Sequence, residues 1–157
     1  MGSLGFRNHN HGACVSEGVL AAQSYFERIG LKFYPVRQRV LEILLESHQA
    51  IGAYQILERL RRDGFKPQPP IAYRSLEFLA RHGFVHKIEK LNAFIACTDS
   101  GKSHNPAFLI CRLCKHVAET HSEASEKILD QAAESAGFAI ELTVLEAEGI
   151  CPNCRET

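Results

Sequence analysis

Four of the six cysteines in this 157-residue chain form two Cys-x-x-Cys pairs, Cys111 with Cys114 and Cys151 with Cys154. A two-residue gap lets both sulfur atoms of a pair point at one ion, and two pairs complete a tetrahedron of thiolates. Zinc is the metal favoured by four soft ligands in a closed site. A redox pair is the alternative, but it typically occurs once, in a thioredoxin-like βαβ unit. The spacing therefore predicts a structural zinc site.

A second set of metal donors is scattered along the chain. His86 and Cys97 lie at the two ends of a predicted hairpin, His104 lies in the loop that follows, and Glu119 ends the strand after the first cysteine pair. Such a mixed set could hold a four-coordinate ion and fix the angle between two halves of the chain. Scattered His and Cys are common, so spacing alone leaves open whether the four meet.

Catalysis is the competing interpretation of these donors. A zinc hydrolase would use His86, Cys97 and His104, with Glu119 as the base, but four protein ligands leave no position open for water. The chain has no His-Glu-x-x-His motif. A nucleic-acid deaminase needs an upstream His-x-Glu and a proline before its first cysteine, whereas Pro152 follows Cys151. No enzyme is predicted.

The elements that must position these residues fall into two groups, which makes the fold class α+β. The first group has helical spacing in four segments and then a hairpin, the order of a winged helix-turn-helix domain. A generic helical bundle with a hairpin is the alternative. The helices are predicted over "VLAAQSYFERIG", "PVRQRVLEILLES", "GAYQILERLRRDG" and "IAYRSLEFLARHG", and the strands over "FVHKIEK" and "AFIACT".

The second group reads as a β-β-α-β unit, small enough to need a staple or a dimer partner. Its segments are "AFLICRLCKHVAE", "SEASEKILDQAAESAG" and "FAIELTVLEAEGIC". The predicted organisation is a disordered tail over 1–19, a winged-helix DNA-binding domain over 20–98, a linker over 99–105 and a zinc-stapled domain over 106–157, for which the family resemblance given below implies dimerisation.

Charge divides in the same way, although Lys+Arg and Asp+Glu balance at 18 each. Residues 20–96 carry 12 basic and 7 acidic side chains, and residues 97–157 carry 5 and 10. A basic half is suited to a polyanion such as DNA. No apolar run approaches the length of a membrane span, and the first residues lack the apolar core of a secretory signal. We therefore expect a cytoplasmic protein without a membrane partner or a small-molecule substrate.

Five segments together resemble the ferric uptake regulator superfamily, and within it the zinc uptake regulators. They are "AYQILERL", "PPIAYRSLEFLARHGFVHKIE", "AFIAC", "AFLICRLCKHVAE" and "GICPNC", and the resemblance covers roughly residues 20–154. It implies a homodimeric repressor that binds operator DNA when loaded with zinc and controls zinc uptake genes. It also implies two Zn²⁺ per subunit. The structural ligands would be Cys111, Cys114, Cys151 and Cys154, and the regulatory ligands His86, Cys97, His104 and Glu119.

An iron- or peroxide-sensing member of the same superfamily is the alternative function. Those sensors have a His-rich stretch where this chain reads "SHNPAF", and a thiolate from Cys97 suits zinc better than Fe(II). For DNA binding, the resemblance implies Tyr73 and Arg74 on the recognition helix and Arg37 on a phosphate. The chain departs from the family pattern at Tyr34 and Ile71, where threonine is usual.

Overall fold

The computed structural model describes Phe6 and residues 10–98, 100, 105–120 and 123–156, with the side chains of 123–126 left aside. Within these ranges the chain forms six helices and five strands. In chain order they are α1 (His11–Arg28), α2 (Pro35–Leu45), α3 (Ala53–Arg62), α4 (Pro69–Arg81), β1 (Val85–Ile88), β2 (Ala93–Ala96), β3 (Ala107–Cys111), β4 (Val117–Thr120), α5 (Glu123–Ala136), β5 (Leu145–Gly149) and α6 (Pro152–Arg155). This order confirms the predicted α+β class.

The first four helices enclose the larger apolar core. The stripe predicted on α2 is buried at Val40, Ile43 and Leu44, and α4 buries Leu76 and Leu79 beside them. Proline occupies the first turn of α2 and of α4, where its missing N–H leaves no helical hydrogen bond unmade. The predicted stops are glycines with positive φ, namely Gly30, Gly64, Gly83 and Gly137.

Helix α1 begins at His11, inside the stretch 1–19 that the sequence predicts to be disordered. The side chain of Asn10 accepts a hydrogen bond of 3.0 Å from the backbone N–H of Gly12 and so caps the helix. Gly18 then allows close packing against α2, because a Cβ atom there would lie 2.6 Å from Cδ1 of Leu45. The prediction missed this part of α1 because the stretch is polar in composition, and composition does not show that Asn10 caps a helix or that Gly18 packs against α2. Residues 1–5 and 7–9 lie outside the described part.

The hairpin β1–β2 is antiparallel and pairs Val85 with Ala96 and Ile88 with Ala93. One face of it packs on the sheet of the C-terminal elements. Buried Ile88 and Ile95 of the hairpin join Phe108, Ile110 and Val117 in a second apolar cluster. The hairpin is therefore a layer between the helical core and the C-terminal sheet.

The C-terminal sheet has the order β4-β3-β5, with β4 antiparallel and β5 parallel to β3. Strand β5 starts at Leu145, not near Phe138 as its alternating pattern predicts. Leu145 pairs with Ala107, the first residue of β3. The residues before Leu145 therefore lie beyond the start of β3. Phe138 and Leu142 are 67% and 78% exposed. Helix α6, absent from the predicted elements, follows Cys151.

The segment between α2 and α3 connects the two groups of elements. The carbonyl of His48 accepts a hydrogen bond of 2.9 Å from the backbone N–H of Val117, and Ile51 bridges to Phe94 in the hairpin. No helix of the described residues is long and apolar enough to cross a membrane.

Candidate metal centres and DNA-binding face

The two Cys-x-x-Cys pairs meet at one end of the C-terminal sheet. Cys111 ends β3, Cys114 lies in the turn to β4, and Cys151 and Cys154 lie at the start and within the last turn of α6. The four sulfur atoms all lie within 4.8 Å of one another, and those of Cys114 and Cys151 are 3.7 Å apart. Four Zn–S bonds of 2.3 Å in a tetrahedron place sulfur atoms about 3.8 Å apart. The donor set therefore fits a zinc ion.

Hydrogen bonds and burial shift the pKa values of three of the four thiols in different directions. The N–H of Cys114, and then that of Cys151, donates to the sulfur of Cys111 and lowers the pKa of its thiol to about 6. A hydrogen bond with the Cys151 thiol, followed by burial, raises the pKa of Cys154 to about 12. Burial raises the pKa of Cys114. A divalent cation among the sulfur atoms would stabilise the thiolate form of all four.

His116 lies beside this cluster, with Nδ1 3.2 Å from the sulfur of Cys114. The side-chain amide of Gln49 donates a hydrogen bond of 3.2 Å to the carbonyl of Cys114. The cluster is thus also held from the segment between α2 and α3, which the cysteine spacing did not indicate.

Three of the four scattered donors meet where the hairpin faces β4. The candidate ligand atoms of His86, Cys97 and Glu119 all lie within 4.8 Å of one another. Oε1 of Glu119 is 3.6 Å from Nε2 of His86 and 3.8 Å from Sγ of Cys97. Tetrahedral zinc with bonds of 2.0 to 2.3 Å separates its ligand atoms by about 3.3 to 3.8 Å. His104 lies outside the described residues.

Each donor is fixed by its element. His86 is in β1, and Cys97 follows β2, where its N–H donates to the carbonyl of Phe84 at 2.9 Å. Glu119 is in β4 with its side chain 2% exposed. Its other oxygen, Oε2, accepts from the backbone N–H of Thr98 at 3.0 Å and from the Thr98 hydroxyl at 3.1 Å. Thr98 therefore orients the carboxylate, a role that no motif revealed.

The residues expected to meet DNA lie on the N-terminal elements. Tyr73 is 51% exposed on α4, and Arg74 beside it is exposed as well. Arg37 is half-buried: its guanidinium carbon lies 3.7 Å from the centre of the Phe78 ring, and Nη1 donates to the carbonyl of Lys32 at 3.2 Å. Arg37 is thus already oriented by stacking, while Arg74 remains open to a partner.

The two departures from the family pattern have visible local effects. Tyr34 occupies the N-cap position of α2, and its side chain makes no cap hydrogen bond. Its ring instead lies beside Arg37, whose guanidinium carbon is 5.2 Å from the ring centre. Ile71, in the first turn of α4, is 37% exposed.

Comparisons with known proteins agree with this arrangement. The chain is 37% identical to the zinc uptake regulation protein of Escherichia coli strain K12, over 90% of this chain and 84% of that protein. A structure of a zinc uptake regulator complexed with zinc and DNA has a TM-score of 0.86 at 34% identity, covering 90% of this chain and 95% of the other.

Two crystal structures of XcZur differ in how closely they superpose on this chain. Each is 32% identical to it, and in each the match covers 99% of the XcZur chain. The holo form has a TM-score of 0.83 over 90% of this chain, and the apo form has 0.52 over 91%. The elements of this chain are therefore arranged as in the holo form. The ferric uptake regulator family is matched over residues 28–148. The chain belongs to the ferric uptake regulator family.

Proposed function

We propose that this protein is a zinc-responsive transcriptional repressor, which binds operator DNA as a zinc-loaded dimer and controls genes for zinc uptake. The observation that carries the proposal is the meeting of His86, Cys97 and Glu119 between the hairpin and β4. Metal at that position would join the DNA-binding elements to the rest of the chain. The likeness to a zinc uptake regulator in complex with zinc and DNA supports the same function. The role is regulatory and not enzymatic.

Zinc in the four-cysteine cluster would have a structural role. The cluster joins the end of β3, the following turn and α6, so one ion would tie together the two ends of the C-terminal elements. A unit this small gains folding free energy directly from such an ion. The proposed ligands are Cys111, Cys114, Cys151 and Cys154.

Zinc at the second position would have the regulatory role. The proposed ligands are His86, Cys97 and Glu119, with His104 as the fourth. Together with the zinc ion in the four-cysteine cluster, this site would bring the total to two zinc ions per subunit. A ligand set with one thiolate and two imidazoles favours zinc over Fe(II) or Mn(II). His86 and Cys97 belong to the hairpin, whereas Glu119 belongs to the C-terminal sheet. Bound zinc would therefore cross-link these two layers.

The cross-link explains how zinc would control DNA binding. A ligand shifts a conformational equilibrium only if it binds one arrangement better than the other. With zinc bound, the three donors must stay together, which holds α4 at a fixed position relative to the C-terminal sheet. Without zinc, this constraint is lost and two subunits no longer present their α4 helices at the spacing of one operator. The holo-like arrangement of the chain supports this account.

On the DNA side, Tyr73 and Arg74 would read bases in the major groove from α4. An arginine can donate two hydrogen bonds to guanine, and the tyrosine ring can contact a thymine methyl group. Arg37 would donate to a backbone phosphate and thereby set the register. A repressor of this kind acts on the chromosome, so we expect it in the cytoplasm.

The dimer would form through the C-terminal elements. Several large apolar side chains of these elements are exposed in the single chain. Isolated apolar residues are common on protein surfaces, but a group of this number indicates a surface that binds another protein. The exposed side chains are Leu109, Leu113, Ile128, Phe138, Leu142 and Val144. This supports residues 106–157 as the dimerisation domain and residues 20–98, extended by the start of α1, as the DNA-binding domain, with 99–105 between them.

A titration of operator binding with competing metals tests the proposal. Purified dimer, with its structural zinc retained, is titrated with buffered free Zn²⁺ or, without oxygen, with Fe²⁺, and fluorescence anisotropy follows a labelled operator. We expect zinc to activate binding at far lower free concentration than iron. Activation by iron at the lower concentration would indicate an iron or peroxide sensor instead.

A further inference from the structure

The hairpin is held by the C-terminal sheet at its turn as well as at its open end. Oε1 of Glu146 accepts a hydrogen bond of 2.6 Å from the backbone N–H of Glu89, and Oε2 accepts one of 3.0 Å from that of Lys90. Glu89 and Lys90 follow β1 directly and begin the turn to β2. One carboxylate on β5 thus binds two consecutive amides of the hairpin turn.

A second contact lies beside it. Nζ of Lys90 is 3.2 Å from Oε1 of Glu148, two residues further along β5. Residues two apart in a strand point to the same face, so both glutamates extend toward the hairpin. In the sheet they pair with Phe108 and Ile110, which pack against Ile88. The two acidic contacts therefore border the apolar contact between hairpin and sheet.

These contacts are at the opposite end of the hairpin from the candidate zinc ligands. The turn is formed by the residues between Ile88 and Ala93, whereas Cys97 lies after the end of β2, at the open end. A body attached at one end can still rotate about that attachment, and a second attachment removes the rotation. Zinc would fix the open end, and Glu146 fixes the turn.

We infer that Glu146 is a positioning residue that holds the hairpin turn against β5 and thereby lowers the zinc concentration at which the repressor binds DNA. The inference rests on the proposed zinc-dependent function. Carboxylate-to-amide hydrogen bonds are stronger than those between neutral groups. Their loss disfavours the closed arrangement, so zinc must supply more of the free energy for closure. By reciprocity, the regulatory site also binds zinc less tightly.

The test compares two variants at Glu146 with two controls. Glu146→Ala removes both hydrogen bonds, and Glu146→Gln removes the charge while keeping one acceptor oxygen. Glu148→Gln removes only the ion pair with Lys90, and Glu134→Gln removes one exposed charge on α5. For each dimer the free Zn²⁺ at half-maximal operator binding is measured, together with operator affinity at saturating zinc.

We expect Glu146→Ala to raise the half-maximal zinc concentration about fivefold, Glu146→Gln somewhat less, and both controls less than about twofold. Operator affinity at saturating zinc should stay within about twofold of wild type, because zinc then closes every subunit. Competition with a chelator, without DNA, should show regulatory zinc binding weakened by a similar factor.

Two results would overturn the inference. One is a Glu146→Ala dimer with the half-maximal zinc concentration of the Glu134→Gln control. The other is an affinity lost equally at every zinc concentration, which would indicate a general structural role. If Glu146→Ala does not fold, as judged by circular dichroism, the Glu146→Gln comparison decides by the same criteria. A wild-type protein that ignores zinc would instead refute the proposed function itself.

Discussion

Thr98 donates two hydrogen bonds to one oxygen of Glu119, from its backbone N–H at 3.0 Å and from its hydroxyl at 3.1 Å. The other carboxylate oxygen is the one that faces His86 and Cys97. These hydrogen bonds orient the carboxylate, with Oε1 directed toward the other two candidate ligands. Mutation of groups that orient metal ligands in this way typically lowers metal affinity or activity about 10- to 100-fold.

Removing the Thr98 hydroxyl should weaken zinc binding at the regulatory site. Thr98→Val keeps the backbone hydrogen bond and the side-chain shape but deletes the second donor to Glu119. We expect about tenfold weaker binding, the lower end of the range for such orienting groups. Chelator competition measures it, and Thr98→Ser, which retains the hydroxyl, should remain close to wild type. Equal affinities for Thr98→Val and wild type would show that the hydroxyl does not orient the carboxylate.

Removing a cysteine of the four-thiol cluster should disrupt folding, not only sensing. Without Cys111 the cluster loses a ligand that ends β3, and the C-terminal elements lose their staple. We expect Cys111→Ser to lose the dimer and the structural zinc, as measured by analytical ultracentrifugation and by zinc content. A folded Cys111→Ser dimer that retains two zinc ions per subunit would contradict the assignment.

Arg74 and Arg37 should affect DNA binding without affecting zinc binding. Arg74→Ala should cost about 1 to 3 kcal/mol of operator binding and relax the preference for one base pair. Arg37→Ala should weaken binding to all sequences alike and reduce the salt dependence by about one phosphate contact. Binding isotherms at several salt concentrations, on operator and on a mutated operator, separate the two effects. If Arg37→Ala lost sequence preference and Arg74→Ala did not, the assignment of Arg74 to base recognition and Arg37 to phosphate binding would be wrong.

His82 should make the helical core less stable in mild acid. Burial, then the positive charges of Arg81 and Arg37, lowers the pKa of His82 below its ordinary 6.5. As the pH falls, the unfolded chain therefore takes up this proton before the folded chain does, so the stabilising contribution is lost below about pH 6.5. His82→Gln keeps a hydrogen-bonding partner for the Tyr25 hydroxyl, 3.1 Å from Nδ1 of His82.

Thermal unfolding between pH 7.5 and 5.5 tests this contribution. We expect the melting temperature of the wild type to fall more steeply with acidification than that of His82→Gln. Because both proteins carry the same zinc ligands, acid release of zinc affects them equally and drops out of the comparison. Parallel pH profiles would show that His82 does not titrate differently on folding.

The sequence predicted the parts of this fold that depend on local signals. Apolar spacing and glycine stops located α2, α3 and α4 to within a few residues, and the two Cys-x-x-Cys pairs pointed to four thiols that lie within 4.8 Å of one another. The start of α1 was missed because its cap, Asn10, and its packing glycine, Gly18, lie in a polar stretch. Strand β5 was placed too early because alternation cannot show where its parallel partner β3 begins.

The scattered donors show where sequence reasoning depended on resemblance. Spacing could not decide whether His86, Cys97 and Glu119 meet, since that depends on the hairpin packing against β4. The contacts of Thr98 and Glu146 had no motif at all. Both residues act through hydrogen bonds to elements far away in sequence, and such partners become visible only when the sheet and hairpin are placed together.

The central claim is that zinc bound by His86, Cys97 and Glu119 controls DNA binding, and Cys97→Ser tests it most directly. Operator binding of wild type and variant is measured by fluorescence anisotropy across buffered free Zn²⁺, with zinc content determined in parallel. The account predicts that Cys97→Ser stays a folded dimer with one zinc ion per subunit and gains no operator affinity as zinc rises. A Cys97→Ser dimer that binds the operator as tightly as wild type, with or without a chelator, would contradict it.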